Sequence, residues 1–153
     1  SEISYFKAFE KVSNSITQDI NWTHLDLLAF RETKQSYISD VLLKSDEGVK
    51  FIVEQLEVSK KLIEEINPKV IVVSNTMARR LLGKEKTKTS NIWLDYDFEF
   101  DTNIGTDIIT SGLLKNTPVF FSSMLSGQRA LDNGSKERLA WHIGQVLNFK
   151  YNK

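Results

Sequence analysis

The chain of 153 residues contains no cysteine and only two histidines. Without cysteine, neither a disulfide framework nor a thiolate metal site can form, and two isolated histidines do not make a structural zinc site. We therefore expect no metal and no cofactor. A chain without cysteine also fits a reducing environment, and we expect a cytoplasmic protein.

Long apolar runs and an excess of one charge are missing as well. No stretch approaches the length of a membrane span, and the first residues lack the basic-then-apolar order of a secretion signal. We expect a protein without membrane contact. Twenty basic residues balance twenty acidic residues, so no global field draws the chain to nucleic acid, and any such binding must be local.

Hydrophobic residues make up 41% of the chain and charged residues 26%, which is typical of a globular domain with a real core. We expect residues 1–153 to form a single domain. Hydrophobic patterning predicts helices over 1–16, 48–68 and 76–83 and from about Ser135, and strands over 22–30, 69–74, 92–100 and 117–123. This alternation predicts an α/β fold of three layers, α/β/α, with a mainly parallel central sheet.

Polar residues follow three of the predicted strands, at 26–31, 74–76 and 122–129. In open α/β sheets, ligands bind beyond the carboxyl ends of the strands, where the outgoing connections converge. We therefore expect the three polar segments to face a common cleft, with Arg31, Ser74 and Asn75 on its rim.

The third segment, "SSMLSGQR" at 122–129, has the composition of an anion-binding loop. Its hydroxyls and backbone amides can bind a phosphate, and Gly127 allows a positive φ that a side chain would oppose. Arg129 adds a bidentate donor. Alternatively, the serines satisfy neighbouring backbone groups, and Arg129 pairs with Asp132 or Glu137.

Three segments of the chain resemble the uracil-DNA glycosylase superfamily. "NPKVIVVSNTMARRLLG" at 67–83 is similar to the family's "PKVIVxLG" strand and the short helix after it. "FSSMLSGQR" at 121–129 matches the spacing of the family loop HPSPLSxxR, and "LDLLAFRET" at 25–33 is similar to a "TNVVKYRPP" strand end. The resemblance spans roughly residues 22 to 143.

This resemblance implies a base-flipping DNA repair hydrolase that extrudes a nucleotide and cleaves its N-glycosidic bond. It assigns Ser123 and Ser126 to phosphate binding and Arg129 to the DNA backbone. Leu125 becomes the wedge that fills the vacated base stack. Asp26 falls where the family has the asparagine that recognises the base.

The chain departs from the family at three places. Phe121 occupies the position of the catalytic-loop histidine and cannot stabilise charge on a departing base. Asp26 only accepts hydrogen bonds when it is ionised, so it would repel the uracil carbonyl. The family's glycine-rich loop, which supplies the water-positioning acid, has no counterpart, because the first glycine is Gly48. Either the sequence lacks an N-terminal portion or the natural protein has lost half of the active site.

Several of these residues also have purely structural interpretations. Phe121 can simply be the last core residue of its strand, and Asp26 can cap a turn or pair with Arg31. His24, on a predicted strand, and His142, in an amphipathic helix, are interpreted as structural.

One local cluster of basic residues follows the second predicted strand, formed by Arg79, Arg80, Lys84, Lys86 and Lys88. It is either solvated surface or a set of phosphate contacts beside the cleft.

Two functional hypotheses remain open. In the first, a non-catalytic glycosylase-fold protein binds nucleic acid, such as DNA, or a nucleotide through the loop 122–129, or acts only as an interaction module. In the second, an active glycosylase takes its acid from sequence that precedes residue 1.

Overall fold

The structure is a computed structural model that describes residues 2–16, 21–23, 25, 44–74, 76–83, 94–122 and 131–151. It is α/β, as predicted. Its helices are α1 (Glu2–Ser15), α2 (Asp46–Ile66), α3 (Thr76–Leu82) and α4 (Asn133–Tyr151), and its strands are β1 (Ile71–Val73), β2 (Phe98–Asp101), β3 (Thr106–Ile109) and β4 (Pro118–Phe121). Most of the strand predicted over 22–30 lies outside the described residues, and residues 21–23 have no regular structure.

The long helix α2 shows how the sequence sets the helix boundaries. It begins after Ser45, whose hydroxyl accepts a hydrogen bond from the Gly48 amide at 3.0 Å. Such an N-cap contributes about 1 kcal/mol. The helix ends at Asn67, which adopts the left-handed conformation with φ 49° and precedes Pro68. The predicted helix and its stop are confirmed.

The described strands form one mixed sheet in the order β1-β4-β3-β2. β1 and β4 are parallel, whereas β4 with β3 and β3 with β2 are antiparallel. The expected mainly parallel sheet is therefore not confirmed among the described strands. The reason is local, because only the residues 102–105 separate β2 from β3, and so short a connection allows only an antiparallel pair.

Alternate residues of β4 pack into two separate core clusters, as the two-residue period of a strand requires. Val119 and Phe121 face a cluster that includes Ile52 and Leu56 of α2. Phe120 faces the other cluster, which contains Val12 of α1, Ile16 just after α1, and Ala140, Ile143, Val146 and Leu147 of α4. β4 thus packs against helices from distant parts of the chain on both of its faces.

Candidate functional site

The carboxyl ends of β1 and β4 lie side by side. The two strands are parallel and in register, with Val73 opposite Phe121. Their pairing extends one residue further, since the Ser122 amide donates to the Val73 carbonyl at 2.8 Å. Ser74 and Ser122 are therefore the first residues after two neighbouring strands, at the same edge of the sheet. Both are half-buried.

The turn between β2 and β3 lies at this edge too. β3 runs antiparallel to β4, so that its first residue, Thr106, comes level with the end of β4. The turn is held by Asp101, whose carboxylate accepts from the Asn103 amide at 2.9 Å. We call Ser74, Ser122 and the turn 102–105 the carboxyl rim.

His142, on α4, contacts the carboxyl rim through a hydrogen bond to the turn 102–105. Its Nε2 lies 2.7 Å from the carbonyl oxygen of Ile104, which can only accept, so this nitrogen carries the hydrogen. The imidazole also packs edge-on against Phe120, with ring centroids 4.9 Å apart. These contacts agree with the interpretation of His142 as structural.

Phe121 is the last residue of β4 and is fixed by aromatic packing. Its ring meets the ring of Phe98 edge-on, with centroids 5.3 Å apart. The guanidinium carbon of Arg79, on α3, lies 5.5 Å from the centroid of the same ring. The guanidinium of Arg79 therefore lies over the aromatic ring that ends β4, next to the carboxyl rim.

The structure describes few of the residues that the sequence assigns to the site. Ser74 is on the carboxyl rim and Phe121 ends β4 beside it. The following assigned residues lie outside the described residues: Asp26, Arg31, Asn75, Ser123, Leu125, Ser126, Gly127 and Arg129.

The position of Arg79 is the feature of the site that the sequence alone does not give. The sequence places it only in a basic cluster, because its contact with Phe121 depends on how α3 folds over β4. The two residues are far apart in the chain, and the sequence between them carries no local signal of this contact.

Asp132 is engaged as a cap at the start of α4. Its carboxylate accepts from the Ser135 amide at 2.7 Å and from the Ser135 hydroxyl at 3.2 Å. These two hydrogen bonds, with a smaller contribution from the charge of Arg138, hold the pKa of Asp132 below its ordinary value. The carboxylate that was a proposed partner of Arg129 thus has a structural role of its own.

We expect Asp132→Ala to lower the free energy of unfolding in a pH-dependent way. Because the folded-state pKa is depressed, the stabilisation is complete above the unfolded-state value of about 3.9 and is lost as the pH falls through the folded-state value. Urea unfolding at a series of pH values should show a constant deficit above about pH 5 that shrinks in stronger acid. Asp132→Asn, which retains a capping oxygen, should lose less stability. A deficit that grows with acid would contradict this.

Within the described ranges, no group of three or more His, Asp or Glu side chains could hold a metal ion. In the same part of the chain, no helix has both the length and the hydropathy to cross a bilayer. No protein-family model matches the chain, and neither a curated protein nor a solved structure matches it. The candidate site is therefore defined by its own geometry and chemistry.

Proposed function

We propose that this chain is a divergent uracil-DNA glycosylase-like protein that binds a phosphate of DNA or of a nucleotide at the loop after β4. The observation that carries the proposal is the parallel pairing of β1 and β4, continued by the hydrogen bond from Ser122 to Val73. It supports a common site because the polar connections after both strands start at one edge, where ligands of open α/β sheets bind.

The fold that we propose with this function has three layers, α/β/α. Support comes from the alternation in β4, where Val119 and Phe120 point into clusters supplied by different helices. The antiparallel hairpin of β2 and β3 is a departure from an entirely parallel sheet. It adds strands beside β4 without disturbing the parallel pair that forms the carboxyl rim.

The chemistry of the loop favours an anion over an apolar ligand. Ser123, Ser126 and Gly127 supply hydroxyl and amide donors, and Arg129 supplies a planar fork that fits two phosphate oxygens. The chain has no net charge, so the affinity must come from these few contacts. Binding of this kind weakens steeply with salt, because each phosphate contact releases counterions.

A titration of labelled single-stranded oligonucleotide tests the proposal. At low salt, fluorescence anisotropy should show saturable binding by the wild type. Arg129→Ala should raise Kd by about tenfold or more, since a charge-assisted bidentate contact is worth at least about 1.5 kcal/mol. The slope of log Kd against log salt concentration should also decrease, by the amount expected for the loss of one phosphate contact.

Lys115→Ala is the matched control, because Lys115 is an exposed cation in the connection between β3 and β4, at the edge opposite the carboxyl rim. Its Kd should equal that of the wild type. Competition by a mononucleotide at equal phosphate concentration then separates a nucleotide ligand from a nucleic acid. Absence of binding at low salt, or equal affinities for Arg129→Ala and the wild type, would contradict the proposal.

A further inference from the structure

The helix α2 carries a second apolar face beside the one that it buries. The residues of α2 that are buried are Gly48, Ile52, Leu56, Ser59 and Ile63. A separate row on the outside of the helix consists of Phe51, Gln55, Val58, Leu62 and Ile66, which we call the α2 stripe. Its aliphatic side chains are largely open to solvent, since Val58 is 58% exposed, Leu62 42% and Ile66 50%. Single exposed apolar residues are ordinary, but a contiguous row of them is typical of an interaction surface.

The spacing of the α2 stripe is that of a helix that packs along another helix. The steps from Phe51 through Gln55 and Val58 to Leu62 are four, three and four residues. This alternation keeps one seam of a helix facing a partner helix. Residues 51–66 extend over about 22 Å. The occupant that fits this surface is therefore a helix with apolar side chains at the same spacing, and α2 of a second copy has that spacing.

Charged residues on one flank of the α2 stripe are self-complementary. Glu54 and Lys61 both lie on this flank, one heptad apart, and both are exposed. When two identical helices pack antiparallel, the same flank of each helix meets, so that Glu54 of one copy lies beside Lys61 of the other. The twofold axis repeats this contact, which places opposite charges together twice.

The same charges argue against a parallel arrangement of the two helices. In a parallel pair, each flank meets the opposite flank of the other helix. Glu54 would then face Ser59 of the second copy, and Lys61 would face Ile66, neither of which carries a charge. Antiparallel packing is thus the orientation that gives both charged residues a partner.

We propose that the α2 stripe is a self-association surface through which two copies of this chain pair antiparallel. In this register, Phe51 of one copy faces Leu62 of the other, and Gln55 faces Val58. Self-association through α2 goes beyond phosphate binding and does not depend on it, because α2 contributes no residue to the carboxyl rim. A stripe of this length is smaller than the interface of a permanent dimer, so we expect a weak dimer with a Kd on the order of 10–100 µM.

Sedimentation velocity of the wild type at concentrations from about 5 to 500 µM tests the proposal. We expect the weight-average mass to rise from that of one chain toward that of two. Val58→Glu places a charge without a partner at the centre of the surface in both copies, and it should keep the protein monomeric over the whole range. Leu113→Glu is the matched control, because it makes the same kind of change at an exposed apolar residue outside α2 and should leave the dimer Kd unchanged. Circular dichroism of each variant reports whether the fold is retained.

The antiparallel orientation is tested by exchanging the charges at low salt. Glu54→Lys and Lys61→Glu each bring like charges together twice across the axis, and each should raise the dimer Kd about fivefold or more. In an equimolar mixture of these two variants, the mixed dimer again has opposite charges at both contacts, so the mixture should dimerise with about the affinity of the wild type. The double variant Glu54→Lys/Lys61→Glu should do the same. If Val58→Glu does not fold, these substitutions at exposed positions still decide the question.

Three results would overturn the proposal. The first is a wild type that is monomeric at every concentration, and the second is a dimer that persists in the folded Val58→Glu variant. The third is a mixture of Glu54→Lys and Lys61→Glu that dimerises no better than either variant alone, because Glu54 and Lys61 would then not meet. No oligonucleotide enters these measurements, so failure of the proposed phosphate binding would leave the α2 surface in place.

Discussion

Phe120→Ala should lower the free energy of unfolding by about 3–5 kcal/mol, the largest effect on stability that we expect from one substitution. Phe120 is 4% exposed and packs in the cluster that α1 and α4 supply. Alanine would leave a cavity there and would remove the edge-on contact with His142. The side chains around the cavity belong to segments far apart in sequence, so they cannot close it without losing other contacts.

Urea unfolding followed by circular dichroism measures this loss. Phe100→Ala is the matched control, since Phe100 lies on β2 and is 58% exposed. Its substitution should change the free energy of unfolding by no more than about 0.5 kcal/mol. A loss below about 1 kcal/mol for Phe120→Ala would mean that the face of β4 toward α4 is not a packed core.

Purified protein of this sequence should release no detectable uracil from single- or double-stranded DNA. Under the proposed relationship to uracil-DNA glycosylases, Phe121 takes the place of the catalytic-loop histidine, and a phenyl ring cannot donate a hydrogen bond to a base that departs with negative charge. Loss of one such donor typically costs about a hundredfold to a thousandfold in rate. The first glycine of this sequence is Gly48, so residues 1–47 contain no glycine-rich loop like the one that carries the acid in the glycosylases that the sequence resembles. A protein of this sequence would therefore lack general base catalysis worth about a hundredfold or more.

Free uracil can be quantified by chromatography after incubation with a uracil-containing oligonucleotide, with an active uracil-DNA glycosylase as the positive control. Release that is proportional to the concentration of this protein would contradict the prediction. It would then favour the alternative of an active glycosylase.

The elements with strong local patterns could be predicted from the sequence. α2 combines a one-faced apolar repeat with a serine cap and a proline stop, and β1 and β4 are continuous apolar runs. β3 was not predicted, because its four residues, TDII, have no alternation and owe their strand conformation to partners on both sides. The sequence also predicts more parallel pairing than the described strands show. Strand direction depends on the length of the connections and on packing across the sheet, and a local pattern does not carry this information.

The candidate site likewise has features that the sequence predicts and features that depend on tertiary packing. Ser74 and Ser122 could be placed at one edge from a general rule of α/β topology, and the structure puts them there. The position of Arg79 over the Phe121 ring could not be predicted, because it joins a helix to a strand through tertiary packing alone. Residue type indicated a cation near the site, and only the fold showed which ring it contacts.

The central claim is that a phosphate ligand binds at the carboxyl rim, and amide NMR spectra of isotope-labelled protein test it most directly. On titration with a short single-stranded oligonucleotide at low salt, we predict shifts at the amides of Ser74 and Ser122 and in the loop 123–129. The amides of residues 112–117, which connect β3 to β4 at the opposite edge, should not shift. Shifts confined to residues 112–117 or to the exposed face of α4, with Ser74 and Ser122 unchanged, would contradict the claim.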